Sequence, residues 1–250
     1  MCRNVCFALI ACLAVTLTLS AESPTPGKQV PASATVAVKS DGQEREAMLR
    51  FFIALPADYD KEQTKRWPLV LFLHGAGERG DDLEIVKKHG PPKLVAQGKE
   101  FPFVLISPQC PSGIRWNPHE LANLLDHAAN TYRIDRQRIY VTGLSMGGAG
   151  TWSLLAEYPG KCAAAIPICG RGDVAEAEKM AKTPIRIFVG AKDRAETVKN
   201  CEDMAAALKK AGGDVDLKVY PDLPHDCWTV TYDNPQLYEW LLAQRLPASK

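Results

Sequence analysis

Residues 138–148 constrain this chain more than any other stretch. Arg138-Ile139-Tyr140-Val141-Thr142 reads as a buried strand, and Ala149 to Glu157 reads as a helix. Between them Gly143-Leu144-Ser145-Met146-Gly147 has the pattern G-x-S-x-G. A strand that turns into a helix over so few residues leaves Ser145 at the tip in a strained backbone conformation. The residues two positions to either side of it crowd each other, and Gly143 and Gly147 supply the missing side chains. A serine held in this way is a candidate nucleophile, and the chain must build a strand-and-helix layer fold around it.

The rest of the sequence agrees with such a fold. Leu69 to Leu73 and Phe103 to Ser107 are unbroken apolar runs suited to strands buried on both faces. Further strands are expected at Val36 to Val38, Ala47 to Leu55, Ala163 to Ile168, Ile185 to Val189 and Val215 to Tyr220, with an Asp41-Gly42 turn between the first two. Leu121, Leu124, Leu125, Ala128 and Tyr132 fall on one helical face, and Asn117-Pro118 supplies a cap and first position. Asp82 to Gln97 has helical spacing interrupted at Gly90-Pro91-Pro92. Val198, Cys201, Ala205 and Leu208 line a helix that Gly212-Gly213 ends, and Asn234 caps a last one. Strands alternating with helices predict an α/β protein with a mostly parallel central sheet. The short stretch between Ile168 and Ile185 leaves no room for a large lid.

The 250 residues suit one large domain, and 30 basic against 29 acidic residues give no electrostatic case for nucleic acid. The first 21 residues read as a signal peptide: Arg3, an apolar run from Val5 to Leu19, and small residues ending at Ala21. The run is short for a membrane span. A secreted or periplasmic location follows, with lipoprotein anchoring at Cys12, in Leu9-Ile10-Ala11-Cys12, as the less favoured route. Residues 22–35, rich in Pro, Ser, Thr and Ala, read as a flexible leader, and 36–250 as the catalytic domain. Cleavage would leave Cys110, Cys162, Cys169, Cys201 and Cys227, an odd number, so at least one has no intramolecular partner. Cys162 and Cys169 flank a strand and would lie about 23 Å apart, too far to bridge. No cysteine or histidine spacing suggests a metal site.

A serine hydroxyl needs a base, and the base an orienting acid. On sheets carrying this turn the acid and then the histidine follow the serine in the chain. His74, His89, His119 and His127 precede Ser145, so only His225 qualifies as the base. Asp193 follows the strand Ile185 to Val189 and reaches the same sheet edge; Asp173 is the alternative acid. For the oxyanion, the amide of Met146 is one expected donor. The other is the amide of Ala76, in the glycine-rich loop after Leu73, where His74 is expected to pin the loop.

His74-Gly75-Ala76-Gly77-Glu78-Arg79-Gly80, the elbow at Gly143 to Gly148, Gly190-Ala191-Lys192-Asp193 and His225-Asp226-Cys227-Trp228 together resemble α/β-hydrolase esterases. The resemblance runs from about residue 45 to residue 246, and is closest to secreted carboxylesterases related to polyhydroxybutyrate depolymerases and feruloyl esterases. It implies an α/β-hydrolase fold and ester hydrolysis by Ser145, His225 and Asp193, without metal or cofactor, on a small or polymer-linked ester. Peptide cleavage or acyl transfer by the same groups, or a binding protein on the same scaffold, are the competing readings. Trp116 and Trp228 sit near the expected site, where each could stack on substrate or simply pack against the core. One departure from the resemblance stands out: relatives carry an acidic or apolar residue after the acid, and here it is Arg194.

Overall fold

A computed structural model describes residues 24–40 and 43–247. The expected signal peptide, Cys12 and the Asp41-Gly42 turn lie outside the described residues. One eight-stranded sheet is formed by β1 (Gln29–Ser40), β2 (Gln43–Ala54), β3 (Trp67–Leu73), β4 (Val104–Pro108), β5 (Ile134–Leu144), β6 (Ala164–Ile168), β7 (Ile185–Gly190) and β8 (Val215–Tyr220). Its spatial order is β1-β2-β4-β3-β5-β6-β7-β8. The pairs β1–β2 and β2–β4 are antiparallel, and all others are parallel. The first strand begins at Gln29, not Val36. The second half of the segment read as a flexible leader, residues 29–35, is therefore sheet, because it pairs in register with β2 from Gln29↔Ala54 onward. Its composition is poor in strand formers, and that tertiary pairing overrides the local preference.

Every residue of β3 and β4 is buried, as unbroken apolar runs require in strands covered on both sides. On one face lie α2 (Pro118–Thr131), α3 (Met146–Glu157), α4 (Ala177–Met180) and α5 (Ala195–Lys210). On the other lie α1 (Gly90–Ala96), α6 (Trp228–Asp233) and α7 (Pro235–Ala243). Neighbouring side chains on β3 show the division. Phe72 meets Gly90 of α1 and Tyr232 of α6, whereas Leu73 faces the start of α3. α2 buries Leu121, Leu124, Leu125 and Ala128, and the Asn117 side chain caps it by accepting from the His119 amide at 2.9 Å. Each of those leucines contributes about 1.5–3 kcal/mol of transfer free energy. Tyr132 ends the helix instead of extending it. Gly90-Pro91-Pro92, expected as an interruption, begins α1: a proline costs nothing in the first turn, where the amide has no acceptor.

The parallel strands β3, β5, β6, β7 and β8 all end at one edge. The loops after them come together there, and they hold every candidate catalytic residue. Between β6 and β7 the chain forms only a 3-10 turn (Val174–Glu176) and the single turn of α4, so no lid is built in that connection. Among the described residues no helix is long and apolar enough to cross a membrane.

Candidate active site

β5 ends at Leu144 and α3 begins at Met146, so Ser145 alone makes the turn, with φ 53° and ψ −114°. Positive φ is costly for a residue with a Cβ, and the surroundings enforce it. The Ser145 amide donates to Ile168 O at 2.8 Å, and its carbonyl accepts from Ala149 N at 3.0 Å. The crowding inferred from the sequence is real. A Cβ added at Gly143 would lie 2.4 Å from the Gly147 carbonyl, and one at Gly147 only 1.9 Å from Leu73 O. Beneath the turn, Thr142 Oγ1 donates to Ile166 O at 2.8 Å and accepts from the Tyr232 hydroxyl at 2.9 Å. The strand carrying Ser145 is thereby tied to α6, which directly follows the His225 loop.

His225 Nε2 lies 2.9 Å from Ser145 Oγ, and His225 Nδ1 lies 2.7 Å from Asp193 Oδ2. The Asp193 side chain is 1% exposed, and its second oxygen accepts from the Arg194 amide at 2.7 Å. A carboxylate there can only accept, so Nδ1 carries the proton and Nε2 is free to accept from the serine hydroxyl. The Asp193 and His225 loops lie backbone on backbone. Lys192 N donates to Leu223 O at 3.0 Å, and a Cβ at Gly190 would come 2.2 Å from Pro224 O. Only glycine permits that approach. Asp173 is elsewhere: it caps the following 3-10 turn by accepting from Ala175 N at 3.0 Å.

The loop after β3 is fixed by buried polar groups. His74 Nδ1 donates to Gly75 O at 2.7 Å, and Nε2 accepts from Cys110 N at 3.0 Å. Burial lowers its pKa from 6.5 to about 4, so it stays neutral and holds this tautomer. Glu78, also buried, accepts from Gly75 N at 3.1 Å. Ala76 heads the 3-10 turn Ala76–Glu78, and Met146 heads α3. Both amides thus sit at helical first positions, which have no acceptor within their own turn. With Ser145 and His225 they line one open cavity of about 510 Å³.

Neither tryptophan lines that cavity. Trp116 donates its indole N–H to His74 O at 3.1 Å, stands edge-on to the His74 ring, and packs against Gly150 of α3. Trp228 lies between His225 and His89, with ring centroids 5.4 and 5.5 Å away. Both brace groups at the site. The cavity wall instead includes Arg79, Arg115, Arg171, Arg194 and Cys169, which sequence reasoning did not select. The one available signal was Arg194, visible as a departure from the resemblance.

The five cysteines of the described residues are free and buried. Cys169, Asp193 and His225 offer ligand atoms within 4.8 Å of one another. That set does not suit a cation, because Asp193 and His225 spend their facing atoms on each other. The Cys169 thiol is also held protonated, first by a hydrogen bond with Cys227 and then by burial.

A model of the Dienelactone hydrolase family matches residues 115–233, just under half of the chain. Acetylxylan esterase A of Emericella nidulans is 34% identical over 85 residues, 28% of this chain and 28% of that protein. A bifunctional acetylxylan esterase/xylanase of Neocallimastix patriciarum is 29% identical over 128 residues, 48% of this chain and 18% of that protein. Among solved structures, a thermostable esterase superposes with a TM-score of 0.69 at 32% identity, over 85% of this chain and 63% of that one. The chain therefore spans less than a third of the curated relatives' length and under two thirds of the solved esterase.

Proposed function

We propose that this chain, a member of the α/β-hydrolase superfamily, is a secreted serine carboxylesterase that works through an acyl-enzyme. The observation that carries the reading is the continuous hydrogen-bond chain Asp193–His225–Ser145, at 2.7 and 2.9 Å, opening on a solvent-accessible cavity. Ser145 Oγ attacks the ester carbonyl as His225 Nε2 takes its proton. Asp193, buried and hydrogen-bonded to Nδ1, stabilises the imidazolium and keeps its Nδ1–H aligned. The amides of Ala76 and Met146 bind the developing oxyanion, and the positive end of α3 adds to their field. His225 then protonates the departing alcohol. Water, deprotonated by the same nitrogen, attacks the acyl-serine and releases the acid.

The names of the curated relatives put acetyl esters of xylan among the candidate substrates. An open cavity without a lid between β6 and β7 fits an ester attached to a polymer. Secretion rests on the amino-terminal signal, and recovery of a form beginning at Glu22 from the periplasm or medium tests it. The chemistry is tested with p-nitrophenyl acetate and butyrate. Ser145→Ala is expected to lower kcat by about 10⁴ to 10⁶ while leaving the fold intact. Turnover that survives this substitution removes Ser145 as the nucleophile.

A further inference from the structure

The wall of the active-site cavity is strongly basic in a protein that is almost neutral. Arg79, Arg115, Arg171 and Arg194 all line it, whereas the whole chain carries a net charge of only +1. Glu196 is the one acidic residue in the lining. Even with the Asp193 carboxylate beneath His225 included, arginines outnumber carboxylates four to two. None of the four guanidinium groups forms an ion pair among the described residues. Arg79 is braced by backbone, its Nε donating to Ala76 O and its Nη1 to Ile114 O, both at 3.1 Å. Arg115, Arg171 and Arg194 are exposed, and no hydrogen bond engages their guanidinium groups among the described residues.

The four come from separate loops, after β3, before α2, after β6 and after β7, and so surround the nucleophile. Unpaired guanidinium groups around a concave site focus a positive potential there, and their planar forks pair with carboxylates through two parallel hydrogen bonds. Neutral acetyl or aliphatic esters make no use of such a wall.

We propose that the site selects anionic esters, those whose acyl or alcohol part carries a carboxylate close to the scissile bond, and that Arg115, Arg171 and Arg194 determine this specificity. The inference deepens the esterase reading and rests on it. Arg79 contributes to the same field, but it also holds the Ala76 carbonyl, so it is a poor probe of specificity.

The test compares matched substrates that differ only in charge. Monomethyl glutarate and its carboxamide counterpart place the charge on the acyl side; acetoxyacetate and acetoxyacetamide place it on the alcohol side. Hydrolysis is followed by proton release. At low ionic strength kcat/KM for the carboxylate is expected to exceed that for the amide by about 10-fold or more in at least one pair. Added salt should erode that ratio. The triple variant R115Q/R171Q/R194Q is expected to bring the ratio toward one, and the corresponding triple lysine variant to retain part of it. Circular dichroism confirms that each variant is folded. Carboxylate esters cleaved no faster than their amides in both pairs, or a ratio that the glutamine variant leaves intact, overturns the inference. If p-nitrophenyl acetate is still cleaved in a Ser145-dependent way, the esterase reading survives that outcome. If it is not cleaved, the reading itself has failed and the inference falls with it.

Discussion

Replacing Gly147 by alanine tests how the site is assembled more directly than removing a catalytic group. The new Cβ would lie 1.9 Å from Leu73 O and 2.5 Å from Leu73 C, with His74 O at 2.8 Å. Real Cβ contacts begin at 3.0 Å, so α3 and the end of β3 must separate by at least 1.1 Å. The obstructing atoms are backbone, and no rotamer change relieves them. Leu73 is also paired with Gly143 in the sheet, and the next residues, His74 to Ala76, lead to the proposed oxyanion donor at the head of the 3-10 turn. The separation therefore acts on stability and on chemistry together. Overpacking of this kind costs about 1–3 kcal/mol, and rigid backbone contacts belong at the upper end. A shift of about 1 Å between nucleophile and oxyanion donor lowers turnover about 10²-fold. Urea denaturation gives the first quantity, and kcat/KM for p-nitrophenyl acetate the second. Gly77→Ala is the control, because a Cβ there meets nothing within 4 Å and the backbone is not left-handed. It should leave stability unchanged or raise it by up to about 1 kcal/mol. A Gly147→Ala protein with the wild-type urea midpoint and wild-type kcat/KM would refute the packing account of the elbow.

Asp193→Asn should lower kcat about 10⁴-fold through loss of the correct imidazole tautomer. Asp173→Asn should leave kcat/KM unchanged, since asparagine caps the 3-10 turn as well as aspartate does; equal losses in the two variants would reopen the choice of acid. His74 makes folding sensitive to acid. The unfolded chain takes up its proton near pH 6.5 but the folded chain only near 4, so stability present above pH 6.5 is lost as pH falls toward 4, at up to about 1.4 kcal/mol per pH unit. Urea midpoints at pH 7, 5.5 and 4.5 should fall less steeply for His74→Gln than for the wild type, and parallel curves would rule this out.

Patterns set by the chain's own periodicity were the legible ones. The buried runs of β3 and β4, the amphipathic face of α2 and the strand-turn-helix at Ser145 appear where the sequence predicts them, because each is fixed by residues adjacent in the chain. The order of Ser145, Asp193 and His225 followed from topology, since parallel strands deliver their ends to one edge. Where long-range contacts decided, local reading fell short. Residues 29–35 have a leader's composition and became strand through pairing with β2. For Trp116 and Trp228 the sequence left substrate stacking and core packing both open; each packs edge-on to a histidine ring, and neither lines the cavity.

The sequence by itself determined the buried strands of the sheet, the elbow and the groups that meet there. Those depend on side-chain period, on glycine where backbones touch, and on which histidine follows the serine. Only the tertiary structure decided what surrounds them. Arg79, Arg115, Arg171 and Arg194 lie on four loops far apart in the chain, and no local pattern marks them as neighbours. They share a wall because a parallel sheet gathers the ends of distant strands at one edge, and there their charges add.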